Sequence, residues 1–145
     1  EIYKLTGHNK TYYKQKQKEA PPRYESIKIG LTRNRQELYD RINKRVEQMV
    51  KEGLIKEAKK IFNSYDLDKK STARQAIGYK ELFKHFKGEY DLDEAIRLIK
   101  RNTRHYAKRQ LSFFKRHDEI KWYNLTDISK KKLFNEVLEY LQNKL

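Results

Sequence analysis

The densest chemical signal in the sequence is a run of cations without counter-charges. Between Arg97 and Arg116 there are eight Lys or Arg side chains and no Asp or Glu. Arg101, Arg104, Lys108 and Lys115 recur at offsets of three, four and seven, the spacing that lines side chains along one helix face. Such a stripe is roughly 20 Å long at the helical rise. It can meet several phosphates of a nucleic acid, each contact releasing condensed counterions. His105, Tyr106, Phe113 and Phe114 interleave with it, and aromatic planes beside cations are a common way of stacking unpaired bases. The competing reading is a solvated basic face over a core face. On either reading Tyr106, Phe113 and Phe114 are expected to pack in the core.

Two further groups could bind an anion. The run from Ser71 to Lys80 (STARQAIGYK) puts small residues, an amide and Gly78 ahead of a helix. Such a turn lets backbone N–H groups approach a ligand closely at a positive dipole end, or it is an ordinary connection. Arg41 and Arg45 lie one helical turn apart. Two guanidiniums on one face can grip a phosphate or diphosphate by forked hydrogen bonds, or they pair with Glu37, Asp40 or Glu52 as exposed ion pairs of little consequence. No phosphate-loop, dinucleotide, zinc-protease or nucleophile-elbow motif occurs. The four His residues are scattered without ligand spacing, and the D-x-D pairs at Asp66/Asp68 and Asp91/Asp93 read as caps. No metal ligands are expected in this chain.

The elements that would position these groups alternate between helix and strand periodicity. Residues 1–22 read as a short helix end, a break at Gly7 and a loose basic stretch closed by Pro21-Pro22. Tyr24 to Leu31 alternates as a strand with one buried face. Asn34 with Glu37 resembles a capping box that opens a helix carrying Leu38, Ile42, Val46, Met49 and Val50, with Gly53 at its C-terminal cap. A helix bearing Leu54, Ala58, Ile61 and Phe62 follows, then a polar connection over 66–71. Next come a short helix over 79–86 ended by Gly88 and a long one from the Asp91/Glu94 capping box to about Arg116. Ile120 to Leu125 is a second strand, and Asp127 is placed as the cap of a last helix. The spacing predicts a helix-rich α/β layer with few strands.

Composition supports a polyanionic partner. Thirty-five Lys and Arg against 20 Asp and Glu leave a net charge of +15, which self-repulsion makes costly unless a partner offsets it. Nucleic acid is favoured over an anionic membrane surface, because the basic stripe lacks an exposed apolar face. The 145 residues contain no cysteine, no apolar run of bilayer length and no visible leader at Glu1-Ile2-Tyr3-Lys4. A cytoplasmic protein, monomeric and without an obligate protein partner, is expected.

Four stretches, in register, resemble one family. Leu38 to Met49 (LYDRINKRVEQM) followed by Gly53-Leu54 is similar to its L-Y-x-R-I-x-x-R-V-x-x-M helix and G-L. Arg74 to Glu81 is similar to its R-Q-A-I-G-Y-[KR]-E segment. Thr103 to Leu111 with Phe114 is similar to its T-R-x-Y-A-K-R-Q-x-x-W/F signature. Glu1 to Gly7 is similar to the E-x-Y-x-x-T-G ending its helical insertion. The family is tRNA dimethylallyltransferase, an α/β enzyme related to P-loop kinases whose insertion closes over the anticodon stem-loop.

The resemblance implies transfer of a dimethylallyl group from dimethylallyl diphosphate to N6 of adenosine 37 in tRNA, with Mg²⁺, and nucleotide (ATP) binding as a P-loop relative. It implies a flipped-out adenine in a channel, as chemistry on a base requires. By residue match, Arg45 resembles the channel Arg facing the diphosphate. Gln75, Ala76, Ile77, Gly78, Tyr79 and Lys80 match one tRNA-contacting stretch. Arg104, Lys108, Arg109, Gln110, Leu111, Ser112, Phe113, Phe114 and Lys115 match the other. Phe114 stands where the family commonly has Trp. The family's phosphate loop and general-base Asp belong to an N-terminal region that these residues do not match, so the Mg²⁺ ligands are expected outside them. The chain is therefore read as a C-terminal part, with 1–22 the end of the insertion and 23–145 the rest of the catalytic core. A non-catalytic RNA-binding domain is the alternative.

Overall fold

Parallel strands cannot be joined by a tight turn and need a long crossover, and here helices supply it. Strand β1 (Lys28–Thr32) pairs in parallel with β2 (Ile120–Asn124), from Lys28 opposite Ile120 to Thr32 opposite Asn124. The computed structural model describes residues 2–19, 21, 24–64 and 75–144. Helices α1 (Ile2–Thr6) and α2 (Lys10–Glu19) precede the sheet. Helices α3 (Arg35–Lys51), α4 (Leu54–Asn63), α5 (Tyr79–Phe86) and α6 (Leu92–Phe114) lie between the strands, and α7 (Lys130–Gln142) follows them. This is the helix-rich α/β layer that the periodicity predicts.

The core is a helix layer. Val46 of α3, Leu54 and Ala58 of α4, Leu82 and Phe83 of α5, and Ala95 and Ile99 of α6 form one buried cluster. The turn from α3 into α4 needs Gly53, whose φ of 110° is a left-handed geometry disfavoured for side chains with a Cβ. Each buried residue sits on the apolar stripe of its helix, so burial and helix periodicity select the same face.

In the sheet, Gly30 sits opposite Trp122 because nothing larger fits. A Cβ there would stand 2.6 Å from Trp122 Cε3 and 2.8 Å from Ile120 Cγ2. Gly30→Ala should therefore destabilise the fold by roughly 1–3 kcal/mol, the usual cost of overpacking. Thermal melts of the single variant and of Gly30→Ala/Trp122→Leu check this, since the smaller side chain at 122 should recover part of the loss.

Several local expectations are corrected. Lys10 to Glu19 is helix rather than a loose stretch. The Asn9 side chain accepts from the Tyr12 N–H at 2.9 Å, and the His8 ring stacks on Tyr12 at 4.0 Å. These local contacts start a helix of good helix-formers whose described side chains are all exposed. The first strand begins at Lys28, not Tyr24. The Asn34/Glu37 box does not form: Asn34 Oδ1 accepts from Asn124 Nδ2, and Glu37 turns to Arg33 and Thr126. Tertiary donors outcompete the local ones. At Asp91 half the box forms, since it accepts from the Glu94 N–H at 2.7 Å while the Glu94 carboxylate goes to Arg97. The last helix is capped by Ser129, which accepts from the Lys132 N–H, while Asp127 accepts from Asn124. The expected polar connection at 66–71, with Asp66 and Asp68, lies outside the described residues.

Candidate nucleic-acid interface

Helix α6 divides its cations by position. Near its start the Arg97 guanidinium donates twice to Glu94, both at 2.6 Å, and Lys100 Nζ reaches Glu47 of α3 at 2.6 Å. Both carboxylates are held below their ordinary pKa, mainly by these hydrogen bonds. Arg104 donates to Asn43 Oδ1 at 2.7 Å, and its guanidinium lies 5.9 Å from the Tyr39 ring centre. The stripe that lacks internal acids thus borrows them from α3 and from its own first turn. Further along, the side chains of Lys108, Lys115 and Arg116 have no hydrogen bond or ion pair among the described residues, and that of Arg109 has only a ring contact, 6.0 Å from Tyr106. Cations in this state keep mobile counterions that a phosphate can displace.

Three grooves bordered by these cations meet along this second half of the helix. One, of about 430 Å³, is lined by His105, Lys108, Arg109, Ser112, Phe113 and Arg116. Arg109 also borders a groove of about 580 Å³ that brings Arg45 of α3 to Gln75, Ala76, Ile77 and Gly78, with Thr103 and Tyr106 of α6. Lys108 and Ser112 also border a third, of about 430 Å³, shared with Lys115, Arg35, Tyr39 and Asn124. The third lies at the carboxyl ends of the parallel strands, where open α/β sheets commonly bind ligands.

The residues expected at the site therefore separate by helical position. Arg45 is exposed, its side chain has no hydrogen bond or ion pair among the described residues, and it faces the Gln75–Gly78 turn across one groove. Lys108, Arg109, Ser112, Phe113 and Lys115 line the basic grooves. Gln110 and Phe114 border a different groove of about 610 Å³, beside Gly30 and Trp122 of the sheet, and Leu111 lines both this one and the third basic groove. Arg104 is half-buried and tied to Asn43. The Tyr79 hydroxyl donates to Glu57 at 2.5 Å, which raises its pKa, and its ring stacks on Phe83. Lys80 is exposed. Tyr106, Phe113 and Phe114 are 49%, 57% and 45% exposed rather than in the core as expected. The core ends at Ile99, and the last turns of α6 run beyond it.

Three contributors escaped the sequence reading. Arg35 and Tyr39 join the third groove, and their position just after the first strand was the available sign. Glu81 is buried beneath Gly78. Its signal was the acid three residues after Gly78, a capping-box spacing. Among the described residues no three His, Asp, Glu or Cys side chains come together as metal ligands. No helix among them is long and apolar enough to cross a membrane.

Residues 1–117 match the family model for IPP transferase. The chain is 51% identical over 138 residues to a tRNA dimethylallyltransferase of Halothermothrix orenii, covering 94% of this chain and 42% of that protein. It is 46% identical over 145 residues to one of Halalkalibacterium halodurans, covering 100% and 46%. Among solved structures it resembles the full-length tRNA isopentenylpyrophosphate transferase of Bacillus halodurans, with TM-score 0.80 and 37% identity over 99% of this chain and 50% of that one. The corresponding enzyme of Staphylococcus epidermidis gives TM-score 0.78 and 32% identity over 98% and 46%. The chain thus spans a little under half the length of these curated relatives. With the family match running through β1, the four core helices and the basic stretch of α6, the chain belongs to the IPP transferase family.

Proposed function

We propose that this chain is the tRNA-gripping part of an enzyme that transfers a dimethylallyl group from dimethylallyl diphosphate to N6 of adenosine 37, beside the anticodon. The observation that carries this reading is the groove joining Arg45 to the Gln75–Gly78 turn and opening, through Arg109, onto unpaired cations of α6. In the transfer, the N6 lone pair attacks the allylic C1 and the C1–O bond breaks. The diphosphate leaves with that electron pair, and the N6 proton passes to a base. Arg45 opposes the charge growing on the diphosphate, an electrostatic role whose value rises toward the transition state. Lys108, Arg109, Lys115 and Arg116 hold RNA phosphates, and the exposed Phe113 ring among them offers a stacking face. Residues 1–22 serve as the end of a helical insertion and 23–145 as part of the catalytic core. The assembled enzyme acts as a cytoplasmic monomer with Mg²⁺ and nucleotide-type phosphate ligands supplied from outside these residues.

The 145-residue chain contains no phosphate-loop motif. As an isolated polypeptide it is expected to bind an anticodon stem-loop but not to prenylate it, whereas the full-length protein prenylates it. Incorporation of labelled dimethylallyl diphosphate into the stem-loop, measured for both proteins, checks this. Turnover by the isolated chain would place the reactive groups within it. Binding without turnover by the full-length protein would favour a non-catalytic RNA-binding role.

A further inference from the structure

Glu81 is the buried charged residue among the described ones, 4% exposed. Both carboxylate oxygens are engaged: Oε2 accepts from the Gly78 N–H at 2.8 Å and Oε1 from Asn102 Nδ2 at 2.7 Å. Its main-chain carbonyl accepts from the Tyr90 hydroxyl at 3.0 Å. No cation pairs with it among the described residues. A buried acid held only by neutral donors is a poor device for stability, since an apolar side chain of similar volume avoids the desolvation cost. What it does supply is geometry. Gly78 stands at φ 103°, ψ −61°, a conformation that needs fixing, and it closes the Gln75–Gly78 wall of the Arg45 groove. Asn102 precedes Thr103 and lies one turn before Tyr106, both on the opposite wall. Glu81 therefore bridges the two walls from beneath.

We propose that Glu81 is a positioning residue that sets the spacing between the Gln75–Gly78 turn and α6, and hence the fit of RNA in the Arg45 groove. This rests on the reading given under Proposed function. The contacts demand two acceptor atoms, because both partners donate. Glu81→Gln leaves one donor facing a donor, and Asn102→Asp sets acceptor against acceptor. The double variant Glu81→Gln/Asn102→Asp reverses the polarity of the second contact. The introduced amide accepts from the Gly78 N–H through its oxygen and donates to the introduced carboxylate through its nitrogen.

In the full-length enzyme each single variant is expected to slow single-turnover prenyl transfer to tRNA by about tenfold, the size of one broken hydrogen bond to a charged group. The double variant should return to within about twofold of wild type. Hydrogen exchange at the Gly78 amide should be slow in wild type and the double variant and fast in Glu81→Gln. A full rate in Glu81→Gln overturns the proposal. So does a double variant that regains thermal stability but not rate, which is the signature of a merely structural role. If Glu81→Gln does not fold, Asn102→Ala cuts only the tie to α6, and an unchanged rate there overturns the proposal equally. If wild type prenylates no tRNA, the functional reading has failed, and Gly78 exchange alone decides whether the bridge exists. A rapidly exchanging Gly78 amide in wild type overturns the proposal.

Discussion

Arg45→Ala in the full-length enzyme is expected to slow single-turnover prenyl transfer on the order of 10²–10³-fold, the effect of removing one donor from a developing negative charge. The loss should fall on the rate of the bound complex and leave tRNA affinity near wild type, because the interaction strengthens as the allylic C–O bond breaks. The geometry supports this assignment. Arg45 lines the groove opposite Gln75 to Gly78 and is not spent on an internal ion pair among the described residues. Arg45→Lys should recover only part of the rate, since an ammonium keeps the charge but lacks the planar fork. Lys44→Ala is the matching control, an exposed cation on the same helix that lines none of the grooves described above. Arg35 would be a poor one, because it borders the third groove with Lys108 and Lys115. Equal, mild effects of Arg45→Ala and Lys44→Ala would show that Arg45 is an ordinary surface charge.

What the sequence disclosed follows the range of the interactions involved. The helices from Arg35 onward, Gly53 and the strand at Ile120 were legible because periodicity and turn chemistry are local. The Asn34/Glu37 box was misjudged because Thr126 and Asn124, far along the chain, compete for the same side chains. The same limit applies to charge. Counting residues along α6 shows no acid beside Lys100, yet Glu47 on α3 neutralises it. Arg104 matches a tRNA-contacting motif, yet its guanidinium is engaged with Asn43 and lies near Tyr39. Burial of Tyr106, Phe113 and Phe114 was expected from their helical spacing alone, which fixes the face but not how far the partner helices extend. Glu81 shows the converse case. Its spacing from Gly78 was visible, but its second partner, Asn102, comes from another helix.

That division of α6 gives the second large effect. If Lys108 and Lys115 each hold one phosphate, RNA affinity falls with salt by a log–log slope of roughly 0.7 per contact on single strands, so Lys108→Ala/Lys115→Ala should flatten the slope by about 1.4. Charge reversal at the same two positions should do more, because each new carboxylate repels the phosphate its lysine held. Across a fourfold range of salt, the alanine pair alone changes the relative affinity by a factor of roughly seven, which follows from that slope. Arg104→Ala should behave differently. Its guanidinium already donates to Asn43 and sits over Tyr39, so its loss should loosen the α3–α6 contact and lower thermal stability while leaving the salt slope nearly intact. Titrating a fluorescent anticodon stem-loop from low to moderate salt against wild type and these variants separates the two behaviours. A slope that Lys108→Ala/Lys115→Ala leaves unchanged would reduce the free half of α6 to a solvated surface. A slope that flattens with Arg104→Ala would mean that Arg104 exchanges its Asn43 contact for a phosphate when RNA arrives.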